Sequence, residues 1–339
     1  MRRRKRLYRS IRSAKLWVVF AGVLLWLAGC SGQQSALDPA GSGAERIADL
    51  FRWMVAGAVI IWILVVGLAI YSIRARSEPH SRNAGKWLII GGGVVFPIVV
   101  LTVLLAYGLA MLPELTSPAP AGSLKIAVTG EQWWWRVRYL PPGGEGVELA
   151  NEIRLPVGEP VEFQLESADV IHSFWIPSLG GKIDMMPGRV TRLTLKPTRT
   201  GVFRGACAEY CGASHARMNF PVVVMERAEF ARWLAQQAET AQPPATSLAA
   251  RGQELFFANG CTACHTIRGT PANGVIGPDL THVGSRLSIA AGTLPNEPDA
   301  FRRWIAHTQA VKPDVNMPNF GMLSPEELQA LAIYLDGLE

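Results

Sequence analysis

The chain has 339 residues, 49% of them hydrophobic, with a formal charge of +6, a length that ordinarily carries about two domains, each with its own core. The positive balance does not mark a nucleic-acid partner. Arg2, Arg3, Arg4, Lys5, Arg6, Arg9, Arg12 and Lys15 supply eight positive charges with no acid among them, and taking these from +6 leaves −2 for the rest of the chain.

In chain order, that basic head runs into the apolar stretch 16–27, the layout of an export signal. The stretch ends in L-A-G-C, which resembles a bacterial lipobox, so residues 1–29 are expected to be a lipoprotein signal peptide and Cys30 the lipidated first residue. An uncleaved first membrane helix is the alternative, with Cys30 then an idle thiol. The polar segment 30–46 reads as a flexible, exported start. Two apolar runs, 53–73 and 87–111, are long enough to cross the roughly 30 Å hydrocarbon core and predict a helical hairpin over 47–112. The loop between them carries Arg74, Arg76, Arg82 and Lys86 against Glu78 alone. By the positive-inside rule it is cytoplasmic, which puts everything else on the outer face of a bacterial cytoplasmic membrane. Trp53, Trp87 and Tyr107 suit interfacial anchors. Neither span contains a histidine that could hold a haem.

Past a Pro-rich stretch, residues 113–226 change period. Eight short candidate strands, broken by P-P-G-G, L-P-V-G-E-P and M-P-G-R, predict an antiparallel Greek-key sandwich. In W-W-W, alternation puts Trp133 and Trp135 on one face and Trp134 on the other. Near the end of this region stands C-A-E-Y-C-G-A-S-H-A-R-M, from Cys207 to Met218, with two thiols, an imidazole and a thioether. That donor set selects soft metals, copper above all. His172, in I-H-S-F-W, can add a second imidazole where a sandwich gathers distant loops at one end. A disulfide would leave His172, His215 and Met218 unexplained, zinc would leave the thioether unused, and a mononuclear blue copper needs only one Cys.

The spacing C-x-E-x-C-x-x-x-H-x-x-M, with His172 well upstream, resembles the binuclear copper A site of cytochrome c oxidase subunit II. The resemblance implies a cupredoxin sandwich in which Cys207 and Cys211 bridge two coppers. His172, His215, Met218 and the Glu209 backbone carbonyl would complete the set. It also implies that the Glu209 carboxylate helps bind magnesium or manganese at the junction with subunit I, and that Trp133, in Q-W-x-W, receives incoming electrons. D-M-M-P-G-R, with Asp184 and Arg189, matches too, although a plain turn explains it as well. One departure is N-A-G-K-W before the second helix, where many relatives carry a glutamate near a proton path.

Residues 227–248 predict a helix over 227–238 and a linker stiffened by Pro243 and Pro244. Residues 249–339 open on C-T-A-C-H, the attachment signature of c-type haem, with Cys261 and Cys264 as thioether positions and His265 as proximal ligand. Met317, in N-M-P-N, is the expected sixth ligand, with Met322 as the fallback. G-P-D-L resembles the cytochrome c loop that packs a proline, here Pro278, on the proximal histidine. Ser324 and Pro325 open a well-capped terminal helix. His282 and His307 read as hydrogen-bonded or surface residues.

A fused cytochrome c resembles the caa type of cytochrome c oxidase. The expectation is therefore a multidomain membrane protein: a two-helix hairpin, an all-β cupredoxin sandwich and an all-α class I cytochrome c. Electrons would pass from an external cytochrome or other donor through haem c and copper A to the haem a and copper B of subunit I, with subunit III alongside. The linker is expected to act as a tether, giving the haem an effective concentration on the order of millimolar. A copper A nitric oxide reductase and a stand-alone electron-transfer or copper-handling lipoprotein are the alternatives.

Overall fold

A computed structural model describes residues 31–74, 82–141 and 143–339. The expected signal 1–29, the lipidation position Cys30, and Arg76 and Glu78 of the loop lie outside the described residues. The chain forms two units, one of Arg46–Ala119 and the other of Pro120–Glu339 together with the segment ending at Glu45.

In the first unit, α1 (Ser42–Arg74) runs on from the second unit and contains the first apolar run. The second run spans α2 (Arg82–Ile90), a π-turn at Gly91–Val95 and α3 (Phe96–Thr116). Pro97 has no N–H to return to the carbonyl one turn earlier, and three consecutive glycines (Gly91, Gly92 and Gly93) tolerate the wider turn that results. Both helices are long and apolar enough to cross a membrane, and large side chains such as Trp53, Trp62, Leu101 and Leu105 are exposed along them. Arg46 and Glu114 pair at 3.0 Å across the hairpin ends. Both are solvated, so the pair adds little.

The second unit is built on a sandwich of two five-stranded sheets. One sheet has the order β3-β2-β1-β5-β8, from β1 (Leu124–Glu131), β2 (Trp134–Leu140), β3 (Val147–Ala150), β5 (Val161–Ser167) and β8 (Thr191–Leu195). The other has the order β4-β10-β9-β6-β7, from β4 (Ile153–Pro156), β6 (His172–Trp175), β7 (Ile183–Met185), β9 (Gly201–Cys207) and β10 (Asn219–Met225). The sandwich is mixed rather than antiparallel, because β1 runs parallel to β5 and β4 parallel to β10. Residues 147–156, apolar in alternation on either side of Asn151, form two strands, one in each sheet. Asn151 turns the chain between them with φ 59°, and its Oδ1 accepts the Trp135 N–H at 2.8 Å. Trp135, Phe163, Phe174 and Phe220 fill the space between the sheets. The Phe220 ring lies so close over β9 that a Cβ on Gly205 would come within 2.1 Å of it. Helix α4 (Arg227–Ala238) has the predicted bounds and lays Phe230 and Trp233 on Tyr139.

The segment after residue 30, expected to be flexible, is a strap on the sandwich. Arg204 N–H donates to Gln33 O at 2.8 Å, Thr198 N–H to Ala40 O at 2.7 Å, and Ser42 N–H to Lys196 O at 3.0 Å. Asp38 pairs with Arg199 at 2.7 Å. Polar composition misled here because the strap is held by backbone bonds, to which side-chain polarity is indifferent.

The C-terminal domain crosses α5 (Ser247–Ala258) with α8 (Pro325–Asp336). The helices touch so closely that a Cβ on Gly252 would lie 2.0 Å from the Ala330 carbonyl oxygen. Between them come the two-residue strands β11 (Ser288–Ile289) and β12 (Leu294–Pro295), α6 (Pro298–Ala306) and the single turn α7 (Thr308–Val311). Ser324 caps α8 as expected, and with Glu327 it forms a capping box. This domain has a separate core around Phe256, Phe301 and Tyr334, yet it is docked on the sandwich. Arg136 donates to Val275 O at 2.9 Å, Arg154 to Ser285 O at 3.2 Å, and Leu287 N–H to Glu152 at 2.7 Å. The linker is pinned as well: Ala241 N–H donates to Arg268 O at 2.9 Å, and Arg268 returns a bond to Gln237 O at 2.8 Å.

Candidate metal centres

Strand β6 opens with His172, β9 ends at Cys207, and the loop from there to β10 carries Cys211, His215 and Met218. Antiparallel pairing of β6 with β9 sets Phe174 opposite Cys207, which brings the upstream imidazole to the thiols. The two Sγ atoms lie 3.8 Å apart, far beyond the roughly 2.05 Å of a disulfide. Cys207 Sγ is 3.7 Å from His172 Nδ1 and 3.2 Å from the Glu209 carbonyl oxygen. Cys211 Sγ is 3.5 Å from His215 Nδ1 and 3.8 Å from Met218 Sδ. Each sulfur thus has its own imidazole, and all six expected ligand residues converge.

The electrostatics call for cations. A hydrogen bond from Cys211, with help from His172 and backbone donors, lowers the Cys207 thiol to about 3, while the same thiol contact, burial and the charge on Cys207 drive Cys211 up. One thiolate forms readily and the second is opposed until positive charge sits between them, so the donor set fits a pair of soft ions. Burial alone would lower His172, but its bonds to Cys207 and Asp169 hold it up.

Around this cluster stands a second ring of contacts. His172 Nε2 lies 2.8 Å from Asp169 Oδ1, which fixes the tautomer and leaves Nδ1 to the metal. Asp169 Oδ2 in turn accepts from Gln132 N–H at 2.6 Å. Gly130 passes so near His172 that a Cβ there would meet the ring at 2.8 Å. Trp133 Nε1 and Gln132 Nε2 both donate to the Cys211 carbonyl, at 2.8 and 2.7 Å. Trp133 lies in the turn between β1 and β2 rather than on a strand. It is nevertheless buried like Trp135, whereas Trp134 is half-exposed beneath the Arg136 guanidinium. The Glu209 carboxylate makes no hydrogen bond or ion pair among the described residues. Asp184 ends up in β7, and Arg189 closes an ordinary turn onto Met186 O at 3.2 Å.

In the C-terminal domain a cavity of about 330 Å³ is lined by Cys261, Cys264, His265, Pro278 and Met317. His265 Nδ1 lies 2.8 Å from the Pro278 carbonyl, so that nitrogen donates and Nε2 is free for an iron. Burial holds this imidazole below its ordinary value and therefore neutral. Gly277 is required beneath it, since a Cβ would come within 2.6 Å of the ring. Met322 is 78% exposed and points away from the cavity that Met317 lines. His282 is tied through its two nitrogens to the carbonyls of Glu339 and Glu239, at 2.8 and 3.0 Å, and His307 is exposed. The donors present, two thiols beside a neutral imidazole and a facing thioether, fit a covalently held haem. Trp133 also lines this cavity, so one indole touches both centres.

The sequence reading missed Asp169, Gln132 and Lys312. Asp169, three residues before a ligand histidine, carried a legible signal, because metal-binding imidazoles commonly lean on a carboxylate. Gln132 depends on where the turn after β1 meets the Cys211 loop and Lys312 on how the domains dock, and no local pattern announces either.

Comparison with known proteins agrees with both centres. Residues 140–227 match the family model for the periplasmic domain of cytochrome c oxidase subunit II, and residues 249–339 match that for cytochrome c. The chain is 33% identical to cytochrome c oxidase subunit 2 of Alkalihalophilus pseudofirmus, over 97% of this chain and 98% of the relative. It is 30% identical to the Bacillus subtilis protein of the same name, over 97% and 99%. Among solved structures, the periplasmic domain of subunit II of the Bradyrhizobium japonicum cytochrome oxidase is similar at 35% identity and TM-score 0.33, over 36% of this chain and 97% of that one.

Proposed function

The chain belongs to the cytochrome c oxidase subunit II family, with a cytochrome c domain fused behind the sandwich, and from that premise we propose which residues form its relay. The protein is the electron-transfer subunit of a respiratory terminal oxidase, a membrane protein whose sandwich is a periplasmic domain and whose partner is subunit I. When bound, haem c and copper A each take up and release one electron, which carries electrons from an external donor towards the oxygen-reducing centre of subunit I.

We assign copper A to His172, Cys207, Glu209 through its carbonyl, Cys211, His215 and Met218. The observation that carries this is the pair of sulfurs 3.8 Å apart, each with its own imidazole within 3.7 Å. Haem c is assigned to thioether links at Cys261 and Cys264, with His265 and Met317 as axial ligands. Trp133 is the conduit between them. It stands at the electron-entry position that the resemblance implies, and here the fused haem domain lies over it. The Glu209 carboxylate, without a partner among the described residues, suits a magnesium or manganese ion shared with subunit I. Subunit III, a c-type donor, the signal over 1–29 and a lipid on Cys30 complete the proposal.

The experiment is electron paramagnetic resonance with metal analysis on the purified oxidase. One electron shared equally over two copper nuclei is the expected hyperfine pattern, with two coppers per chain from this site. The pattern of a single copper nucleus, or zinc in its place, would overturn the assignment.

A further inference from the structure

Lys312 is 2% exposed, and its long side chain crosses between the domains. Its Nζ donates to the carbonyl of Trp133, in the sandwich, and to that of Ala290, in the haem domain, at 3.3 Å. No carboxylate pairs with it among the described residues. An apolar residue would fill the same space without the cost of burying an amine, so packing does not explain the choice of lysine. Its neighbours show what the position does. Next in the chain, the Pro313 carbonyl accepts from Ser214 Oγ at 2.6 Å, and Ser214 lies between the copper ligands Cys211 and His215. The carbonyl of Ala291, adjacent to Ala290, accepts from Asn219 N–H at 3.1 Å, immediately after Met218. The copper loop is therefore gripped at its middle and just past its C-terminal end by two loops of the haem domain, and Lys312 ties those loops to Trp133. Lys312 also stands five residues before the haem ligand Met317, on the same loop.

We propose that Lys312 is a positioning residue, a clamp that locks the Met317 loop, Trp133 and the copper loop into one rigid contact through which the haem-to-copper electron passes. The proposal rests on the metal assignments above. In the step it serves, one electron leaves the haem iron and enters the copper pair, and no proton moves. Because the clamp acts through its amine and not its bulk, Lys312→Met keeps the fold and both metal sites while loosening the contact. Ser214→Ala removes the adjacent bond without touching the lysine.

The test uses the whole oxidase complex. Hydrogen–deuterium exchange should show that K312M loses protection in residues 313–320 and in 212–218 together, in two different domains. Haem c and copper A spectra should match those of the parent. Internal transfer from haem c to copper A, followed after rapid reduction of the haem, should fall about tenfold or more, as small misplacements of reacting centres do. S214A should fall in the same direction by less, and the KM for the external donor should be unchanged in both. Unchanged transfer in K312M, or protection lost only in 313–320, would overturn the clamp. If the parent complex itself shows no transfer from haem c to copper A, it is the relay assignment that fails, and the two failures are told apart by that control.

Discussion

Asp169 decides which nitrogen of His172 faces the sulfurs. Its carboxylate accepts a hydrogen bond from the Nε2–H and is itself held by the Gln132 backbone, so the ring is fixed before any metal arrives. Asp169→Ala should leave the sandwich folded and weaken copper retention about 10–100-fold, measured by competition with a copper chelator; unchanged retention would show that the ring needs no such support. Tyr139 makes a different point about the buried interior. Burial drives its phenol above the ordinary value of 10.0, while its oxygen exchanges bonds with both the N–H and the carbonyl of Arg154. The folded state keeps this proton where the unfolded chain releases it. The contribution to stability is therefore full below about pH 10 and lost as the pH climbs beyond it. Denaturant midpoints of the detergent-solubilised protein should fall between about pH 9 and 11, and Tyr139→Phe should flatten that fall. The candidate ligands stood out in the sequence because soft donors at fixed spacing have few other uses. Lys312 did not stand out, since a lone lysine looks the same on a solvated face, and Asp169 was marked only by its place three residues before His172.

Among the elements, those whose signals are local matched expectation. Helix α4 has its predicted bounds, and α8 begins at its Ser-Pro cap. Ser324→Ala removes the arm in which Ser324 Oγ accepts from Glu327 N–H, leaves the Glu327 carboxylate on the backbone N–H of residue 324, and should cost about 1 kcal/mol, read as a lower midpoint in thermal unfolding of the haem domain; no shift would mean the helix end is held by packing and the remaining arm. Strand existence was legible from alternation, but strand partners were not. The parallel pairs β1/β5 and β4/β10 depend on long crossovers that leave no mark in any one strand. The strap before α1 was misread for a related reason: its bonds run through backbone groups, so its polar side chains carried no information about order. Close approaches at Gly205 and Gly252 belong to the same category, visible only once the facing ring or carbonyl is known.

For the whole molecule, docking of the haem domain replaces the tether the linker suggested. A tether would raise the local concentration of the haem and leave each encounter to chance. The docked arrangement sets Trp133 between the haem cavity and the Cys211 carbonyl. Order of arrival follows: electrons from outside meet haem c first, and copper A fills from it. The most direct measurement is rapid mixing of the intact oxidase with a reduced c-type donor, following the visible band of haem c and the near-infrared band of copper A. The expected result is haem c reduction first, copper A reduction at the rate of haem reoxidation, and loss of fast copper reduction in a Cys261→Ala/Cys264→Ala double variant that holds copper but no haem. Copper A filling at the parent rate in that variant would contradict the relay.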